Sequence, residues 1–389
     1  MKKALFIYPH NFLMQNMGTN VRVYNIAAYL KEKGFQIDLF ALKNFCSPSF
    51  PENVGEDGDQ LVTHFYLYDF KKTQKYLRSK KYINVLKKIT ANFGCACTAD
   101  PQDWVDPGMK TMFGGILKNA YDYIVMFYIY TGNLLNERKI KAKKIYFMED
   151  FLSVTHYLDG SNKNIGSSIE SEIRTCKYFD KIAFISFDEK NFFEKILPSS
   201  VKCYFIPHIM KSRRQDSTAA RTLDVLFLGH DNPYNIDGMN WFFSNVYPHI
   251  DAHITIHVGG SVREYIPDGY PNVKKLGFVE NVEDLYRQAK VSICPLLNGT
   301  GMKIKVVEAM KFGVPVVCTL RGIDGLPDKT CNGCRVTDDP REFAAYINTL
   351  CADEQFRLRC ASDVAAYADR CLGYDKTTKT LNQIFDIQE

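Results

Sequence analysis

Short runs of β-branched and aromatic residues alternate along the chain with stretches in which apolar residues recur at helical spacing. The first run spans residues 3–8, a helical pattern follows until Gly34, and residues 35–40 form the next run. Such runs predict buried strands, and the stretches between them predict helices that connect parallel strands. Further strands are predicted at residues 61–66, 123–129, 144–148, 181–186 and 202–206. The pattern predicts an α/β protein with doubly wound parallel sheets.

The same alternation resumes at residue 223, after a polar stretch at residues 211–221 that we interpret as a linker between two domains. Strands are predicted at residues 223–229, 253–258, 289–294 and 314–319, and helices near 340–351, 354–370 and 375–387. A length of 389 residues also favours two domains over one.

The segment between the strands at 289–294 and 314–319 carries the strongest candidate site. It begins with a flexible loop that contains Gly299 and Gly301, and a helix follows. Unpaired amide groups at a helix start attract anions, so a phosphate fits there. At 100° per residue, Gly301, Lys305 and Glu308 share one stripe of the helix, opposite an apolar face.

Two interpretations of this stripe remain open from spacing alone. Lys305 can neutralise a diphosphate while Glu308 accepts hydrogen bonds from a ribose diol, which together indicate a nucleotide site. Alternatively, the two residues form an exposed ion pair of about 0.2–0.5 kcal/mol.

The first half carries two weaker candidates. Gly18 and Thr19 stand at the start of the first predicted helix, where a phosphate could bind, or where the chain simply turns. The triple-glycine fingerprint of nicotinamide cofactors is absent, so we expect no such cofactor. Asp150 follows a predicted strand at the edge where ligands bind, so it is a candidate for contacting a sugar or an acceptor. The equally weighted alternative is that Asp150 or Ser153 caps the next helix.

Composition and cysteine usage limit the other classes of function. Hydrophobic residues make up 46% of the chain, but no apolar run approaches the ~20 residues of a membrane span. The apolar run after Lys3 is too short for a secretory signal, so we expect a cytoplasmic protein with free thiols. The pairs Cys95/Cys97 and Cys331/Cys334 have the spacing of metal ligands, but they lie far apart in the sequence. Asp57 and Asp59 fall in a polar loop rather than at the end of an apolar strand. We therefore predict no metal site.

A basic amphipathic segment covers residues 71–93, with eight Lys or Arg residues and no acidic ones between 71 and 88. It is either a solvated helix face or a peripheral contact with the anionic inner face of a membrane. The net charge is only +5 and no recognition module is present, so we expect no nucleic-acid partner.

The stretch from Gly299 to Val317 resembles the nucleotide-sugar signature of retaining GT-B glycosyltransferases of family four, the glycosyl transferases group 1. The resemblance extends over residues 223–326. It implies two Rossmann-like domains facing each other across a cleft: an acceptor-side domain at 1–210 and a nucleotide-sugar domain at 221–372. It also implies that a C-terminal helix at 374–389 packs back on the first domain.

The resemblance assigns roles to individual positions. It implies that Lys305, helped by Lys303 and the backbone at Thr300, Gly301 and Met302, stabilises the leaving diphosphate. Glu308 then holds the ribose, and the backbone at Phe278 or Val279 meets the base. The turn at Gly18 and Thr19 faces the distal phosphate and sugar. Thr300 stands where many members carry a second glutamate.

The implied activity is retaining transfer of a sugar from a UDP- or GDP-linked donor to a glycan or lipid-linked acceptor in polysaccharide biosynthesis. No metal or further cofactor is expected to be required. Two alternatives remain: a nucleotide-sugar epimerase of the same architecture, and a catalytically silent partner subunit, which Thr300 makes worth considering.

Overall fold

The computed structural model describes residues 1–15, 17–46, 61–70, 103–136, 140–209, 221–277 and 281–388. Predictions for the basic segment 71–93, for Phe278 and Val279, and for the Asp57/Asp59 and Cys95/Cys97 pairs lie outside these residues. The chain forms two compact units: Met1–Ile185 with Glu189–Ile206 and Leu381–Glu389, and Ser186–Asp188 with Pro207–Thr380.

The first unit is built on a parallel sheet with the order β3-β2-β1-β4-β5-β6-β7 among the described residues. The strands are β1 Lys3–Ile7, β2 Gln36–Leu42, β3 His64–Tyr68, β4 Tyr123–Met126, β5 Lys143–Met148, β6 Lys181–Phe184 and β7 Lys202–Phe205. The helices are α1 Gly18–Glu32, α2 Pro107–Ile116, α3 Leu152–Leu158, α4 Ile165–Cys176 and α5 Phe187–Ile196. The central strand β4 is buried throughout, as expected for a parallel sheet covered on both faces.

The second unit is built on a parallel sheet with the order β10-β9-β8-β11-β12-β13 in the described part of the chain. The strands are β8 Leu223–Leu228, β9 Ile256–Gly259, β10 Val273–Lys275, β11 Ala289–Cys294, β12 Val316–Cys318 and β13 Arg335–Val336. The helices are α6 Pro233–Trp241, α7 Val282–Gln288, α8 Ile304–Lys311, α9 Pro340–Ala352 and α10 Glu354–Leu372. The last helix, α11 Tyr374–Phe385, begins in this unit and ends in the first.

In each sheet the strand order reverses at one point: between β1 and β4 in the first unit, and between β8 and β11 in the second. The loops that leave the carboxyl ends of these strand pairs diverge to opposite sides and open a crevice there. Ligands of open α/β sheets bind at such points. Helix α1 with Gly18 and Thr19 comes after β1, helix α8 comes after β11, and Asp150 comes after β5, the strand next to β4.

The chain ends on the first unit. The Tyr123 hydroxyl donates to the Phe385 carbonyl at 2.6 Å, and Asp386 pairs with Lys143 at 2.7 Å and Lys181 at 2.9 Å. These bonds fix the end of α11 to the amino edge of the sheet. Within the described residues, no helix is long and apolar enough to cross a membrane.

Candidate functional site

The candidate site of the second unit lies where β11 ends and the loop 295–303 leads into α8. Helix α8 begins at Ile304, with Lys303 at the capping position. Gly301 therefore precedes the helix. The prediction that Gly301 shares one stripe of the helix with Lys305 and Glu308 is wrong for Gly301. The reason is local: Gly299 and Gly301 have φ values of +104° and +71°, which are left-handed conformations that glycine adopts at little cost.

Two glycines bring neighbouring segments against this loop. A Cβ on Gly238 of α6 would lie 2.8 Å from the Pro295 carbonyl oxygen, and a Cβ on Gly325 would lie 3.1 Å from the Met302 nitrogen. The loop is therefore held on both sides by backbone that larger residues would displace. Met302 is buried in this contact, so its contribution to a ligand is through its backbone.

Lys303 bonds to the loop itself. Its ammonium donates to the carbonyl oxygens of Gly299, Thr300 and Gly301 at 3.3, 3.1 and 3.0 Å, and the residue is buried. An ammonium has three donors, and these three carbonyls match that number. The placement favours a role in fixing the loop conformation rather than the predicted help to Lys305.

Lys305 reaches across to β8 and α6. Its Nζ lies 2.6 Å from Asn235 Oδ1 and 4.0 Å from the centre of the Phe227 ring. Asn235 is itself oriented by donation from Nδ2 to the His230 carbonyl at 2.8 Å. Burial lowers the pKa of the Lys305 ammonium to about 8. A partly buried cation with a neutral hydrogen-bonding partner gains from an approaching anion more than a fully solvated one does.

Glu308 lies one turn further along α8 and is oriented by α7. The Tyr286 hydroxyl donates to Glu308 Oε2 at 3.0 Å, and the Tyr286 ring stacks on Phe312 at 5.6 Å. Burial raises the pKa of Glu308 to about 7, while the Tyr286 hydrogen bond and the nearby Lys305 charge lower it. Lys305 and Glu308 thus bond to separate partners, and the alternative of an exposed ion pair between them is wrong.

Sequence reasoning missed Asn235 and Tyr286, which orient Lys305 and Glu308, and it missed Lys311, whose ammonium is buried on the same helix and bonds away from both. The Lys311 ammonium donates to the His208 carbonyl at 2.8 Å, and burial lowers its pKa to about 8. Asn235 and Tyr286 contact α8 from 70 and 22 positions away in the sequence, so helical spacing could not indicate either of them. The only available signal was that both belong to the segments resembling the glycosyltransferase pattern.

The first unit places Gly18 and Thr19 in the first turn of α1, beside the end of β1. The Tyr8 hydroxyl donates to Asn20 Oδ1 at 2.7 Å and lies 3.3 Å from Thr19 Oγ1. Arg22 of the same helix pairs in the interior with Glu149, at 3.2 Å between Nε and Oε1. Burial raises the pKa of Glu149 to about 7, and Arg22 opposes this.

Asp150 follows β5, two residues before α3 begins. The capping position of α3 is Phe151, whose side chain makes no capping bond, and the first amides of the helix, those of Leu152 and Ser153, donate to the Glu172 carboxylate at 3.3 and 2.9 Å. The Ser153 hydroxyl donates instead to Glu172 Oε2 at 2.5 Å. The capping alternative for Asp150 and Ser153 is therefore wrong, and Asp150 stays a candidate for contacting a ligand at the carboxyl edge of the sheet.

Among the described residues, no group of three or more His, Cys, Asp or Glu side chains is arranged to hold a metal ion. The described cysteines, including Cys331 and Cys334, are all free thiols.

Comparison with known proteins shows what this chain is similar to in sequence and in fold. Residues 222–353 match the family model described as glycosyl transferases group 1. An uncharacterized 44.6 kDa protein in the cps region of Klebsiella pneumoniae is 26% identical over 239 residues. That match spans 56% of this chain and 56% of the relative, so the chain matches about half the length of that relative.

Three solved structures share the fold over nearly the whole chain. TarM from S. aureus, in complex with fondaparinux, α-GlcNAc-glycerol and UDP, has a TM-score of 0.70 at 11% identity, covering 99% of this chain and 100% of TarM. Sucrose-phosphate synthase from Thermosynechococcus elongatus also scores 0.70, at 13% identity and 99% and 98% coverage. Anabaena HepE with UDP and glucose scores 0.65, at 15% identity and full coverage of both chains. The predicted GT-B fold class is confirmed.

Proposed function

We propose that this chain, whose residues 222–353 match the model of the group 1 glycosyl transferases, transfers a sugar from a nucleotide-diphosphate donor. The observation that carries the proposal is the position of Lys305 and Glu308. The two side chains lie one turn apart on α8, next to the point where the strand order of the second sheet reverses. Each is oriented by a neutral partner, Asn235 or Tyr286.

Lys305 is the group we assign to the reaction itself. When the bond between the sugar and the diphosphate breaks, its electron pair moves to the diphosphate oxygen and negative charge grows there. A cation fixed beforehand beside that oxygen stabilises the transition state more than the bound donor. The backbone amides of Gly301 and Met302 precede α8 and supply further hydrogen-bond donors for the phosphates.

Glu308 is the group we assign to the ribose. A carboxylate accepts hydrogen bonds from both hydroxyls of a diol, which favours its ionised form. The Tyr286 hydroxyl occupies one side of Oε2, so the remaining lone pairs of the carboxylate are left for the sugar. The predicted base contacts, Phe278 and Val279, lie outside the described residues.

We assign the base of the donor and the class of acceptor only by analogy with similar proteins. UDP is present in the TarM and HepE complexes, which favours a UDP-linked over a GDP-linked donor as the first to test. TarM was crystallised with glycan ligands, and the Klebsiella relative is described by its cps region, which supports a glycan or lipid-linked acceptor in polysaccharide synthesis. In the first unit, Gly18, Thr19 and Asp150 are the residues we assign to the sugar and acceptor.

We retain two mechanistic features from the family resemblance: retention of the anomeric configuration and independence from a metal ion. For the second, Lys305 and the loop amides supply the positive groups that a metal would otherwise provide. A cytoplasmic location, with membrane contact through residues 71–93, stays a prediction.

A turnover assay separates this proposal from its alternatives. The purified protein is incubated with UDP- and GDP-linked glucose, galactose, mannose and their N-acetyl derivatives, with and without a panel of oligosaccharide acceptors and with and without EDTA. Released nucleotide and the glycosylated acceptor are measured. We expect release from one donor, unaffected by EDTA, with an anomeric configuration in the product that matches the donor. Interconversion of the donor sugar without transfer would indicate an epimerase, and nucleotide binding without turnover would indicate a silent partner subunit.

A further inference from the structure

The chain contains two Asn-Gly dipeptides, Asn298-Gly299 and Asn332-Gly333, and both lie in the second unit. Asn-Gly is the dipeptide most prone to spontaneous deamidation, because glycine has no Cβ to shield its amide nitrogen from the asparagine side chain. In a folded protein the rate depends on whether the side chain and the backbone beside it are free to reach the reactive geometry. The two dipeptides differ sharply in this respect.

Asn298 lies on the loop 295–303 that leads into α8. The residue is exposed, and among the described residues neither its side chain nor the Gly299 amide hydrogen has a hydrogen-bond partner. A Cβ placed on Gly299 would lie 3.5 Å from the nearest atom of the Tyr234 ring, which is an ordinary contact. The bond from Lys303 goes to the Gly299 carbonyl, which takes no part in deamidation. No bond to the reacting atoms must therefore break before Asn298 reacts.

Asn332 is held by hydrogen bonds on both sides of its amide. It is 3% exposed, its Nδ2 donates to the Lys329 carbonyl at 2.8 Å, and its Oδ1 accepts from the Cys334 amide at 2.9 Å. The backbone beside it is closely packed, since a Cβ on Gly333 would lie 2.6 Å from the Val364 nitrogen of α10. Because two hydrogen bonds must break first, deamidation at Asn332 should be slower by about tenfold or more.

Deamidation of Asn298 needs only water as a reactant. The Gly299 nitrogen forms a bond to Asn298 Cγ while the bond from Cγ to Nδ2 breaks, and Nδ2 leaves as ammonia with the proton of the Gly299 amide. The product is a succinimide ring. Water then opens the ring at Cγ to give aspartate, or at the backbone carbonyl carbon of residue 298 to give isoaspartate. Either product carries a negative charge that asparagine lacks.

We propose that Asn298 is a site of spontaneous deamidation, and that this modification weakens binding of the donor phosphates. The second part rests on the proposed transferase function, in which the Gly301 amide bonds to a phosphate. Asn298 precedes Gly301 by three residues, so their Cα atoms are at most about 11 Å apart, close to the Debye length of about 8 Å at physiological ionic strength. The new carboxylate is therefore only partly screened from the phosphate. Isoaspartate also adds an atom to the main chain just before Gly299, whose carbonyl accepts from Lys303.

Peptide mass spectrometry of the whole protein tests the modification itself. The protein is incubated at physiological temperature and mildly alkaline pH with a reductant, beside synthetic peptides that cover residues 295–303 and 327–338 and give the rate of each unstructured sequence. We expect Asn298 to yield aspartate and isoaspartate, and Asn332 to convert more slowly by about tenfold or more when each rate is divided by that of its peptide. An Asn298 that stays intact while its peptide is fully converted, or equal relative rates at the two sites, would overturn the proposal.

Variants test the effect on the donor site. Asn298→Gln removes the reactive dipeptide, because the longer side chain closes a ring far more slowly, and Asn332→Gln is the matched control. UDP affinity is measured on fresh and incubated samples of each protein, with melting curves to exclude unfolding. Converted samples of the unaltered protein and of Asn332→Gln should bind UDP more weakly by about threefold or more than their own fresh samples. Incubated Asn298→Gln should bind UDP as its own fresh sample does.

Asn298→Asp introduces the charge directly and should show the same loss of UDP affinity without incubation. A folded Asn298→Asp protein and a converted sample that both bind UDP as the fresh unaltered protein does would contradict the second part of the proposal. An equal loss in incubated Asn298→Gln would also contradict it, because another change would then be responsible. Failure of the fresh unaltered protein to bind any nucleotide would count against the proposed transferase function, whereas mass spectrometry alone decides the modification site.

Discussion

Replacing Lys305 with methionine should separate stability from activity. The side chain keeps a similar length but loses its charge. Burial lowers the pKa of this lysine from 10.5 to about 8, which at 1.36 kcal/mol per pKa unit means that folding disfavours the charged form by about 3 kcal/mol. This cost is present below pH 8, where the folded protein holds the ammonium charged, and declines as pH rises from 8 towards 10.5 because Lys305 is then neutral in the folded protein. At neutral pH the variant should therefore be at least as stable as the unaltered protein.

The same substitution should damage turnover severely. If the Lys305 ammonium lies against the leaving diphosphate, its loss removes an electrostatic group that acts in the transition state, and such losses cost about 10²–10³ in kcat, or about 3–4 kcal/mol. Asn235 Oδ1 would then lose its donor, which costs about 1–3 kcal/mol for a buried acceptor and offsets part of the gain in stability, while Nδ2 remains bonded to the His230 carbonyl. We expect a variant that melts no earlier than the unaltered protein and turns over at most about a hundredth as fast.

The assay is kcat at saturating donor, measured beside a melting curve at pH 7. Lys311→Met is the matched control, because it removes another buried ammonium from α8 whose pKa is also about 8. Its ammonium bonds to a backbone carbonyl, so its loss should affect stability more than turnover. A folded Lys305→Met protein that retains more than about a third of its turnover would refute the assignment of Lys305 to the diphosphate.

Two further predictions concern the nucleotide site. Glu308→Ala should weaken UDP binding in calorimetry by roughly 1.5–3 kcal/mol, the usual value for hydrogen bonds to a charged group, with folding intact; unchanged affinity would remove Glu308 from the site. Affinity for UDP-glucose, whose diphosphate does not titrate near neutrality, should fall below pH 7 as Glu308 gains a proton and above pH 8 as Lys305 loses one. Glu308→Gln should abolish the acidic decline and keep the alkaline one, and a profile that is flat from pH 6 to 9 would contradict both roles.

Periodicity predicted most of the fold because parallel strands buried on both faces are continuous apolar runs. The predicted strand at 289–294 coincides with β11, and the predicted helix near 340–351 differs from α9 by one residue. Periodicity predicted the ends of helices less accurately where backbone geometry determines them. The start of α8 was placed too early, since the left-handed conformations of Gly299 and Gly301 do not show in a hydrophobic pattern.

The candidate site was predictable only as far as α8 itself. Spacing placed Lys305 and Glu308 on one face, but it could not show that each bonds to a residue of another helix. Lys303 has the same charge as Lys305, yet it folds back on the loop carbonyls.

The central claim is that α8 and the loop before it hold a nucleotide diphosphate. A crystal structure of the protein with UDP tests this most directly. The account predicts density for the diphosphate within hydrogen-bond distance of Lys305 Nζ and the amides of Gly301 and Met302, with the ribose diol on the Glu308 carboxylate. UDP bound elsewhere, or a ribose whose hydroxyls do not contact Glu308, would contradict it.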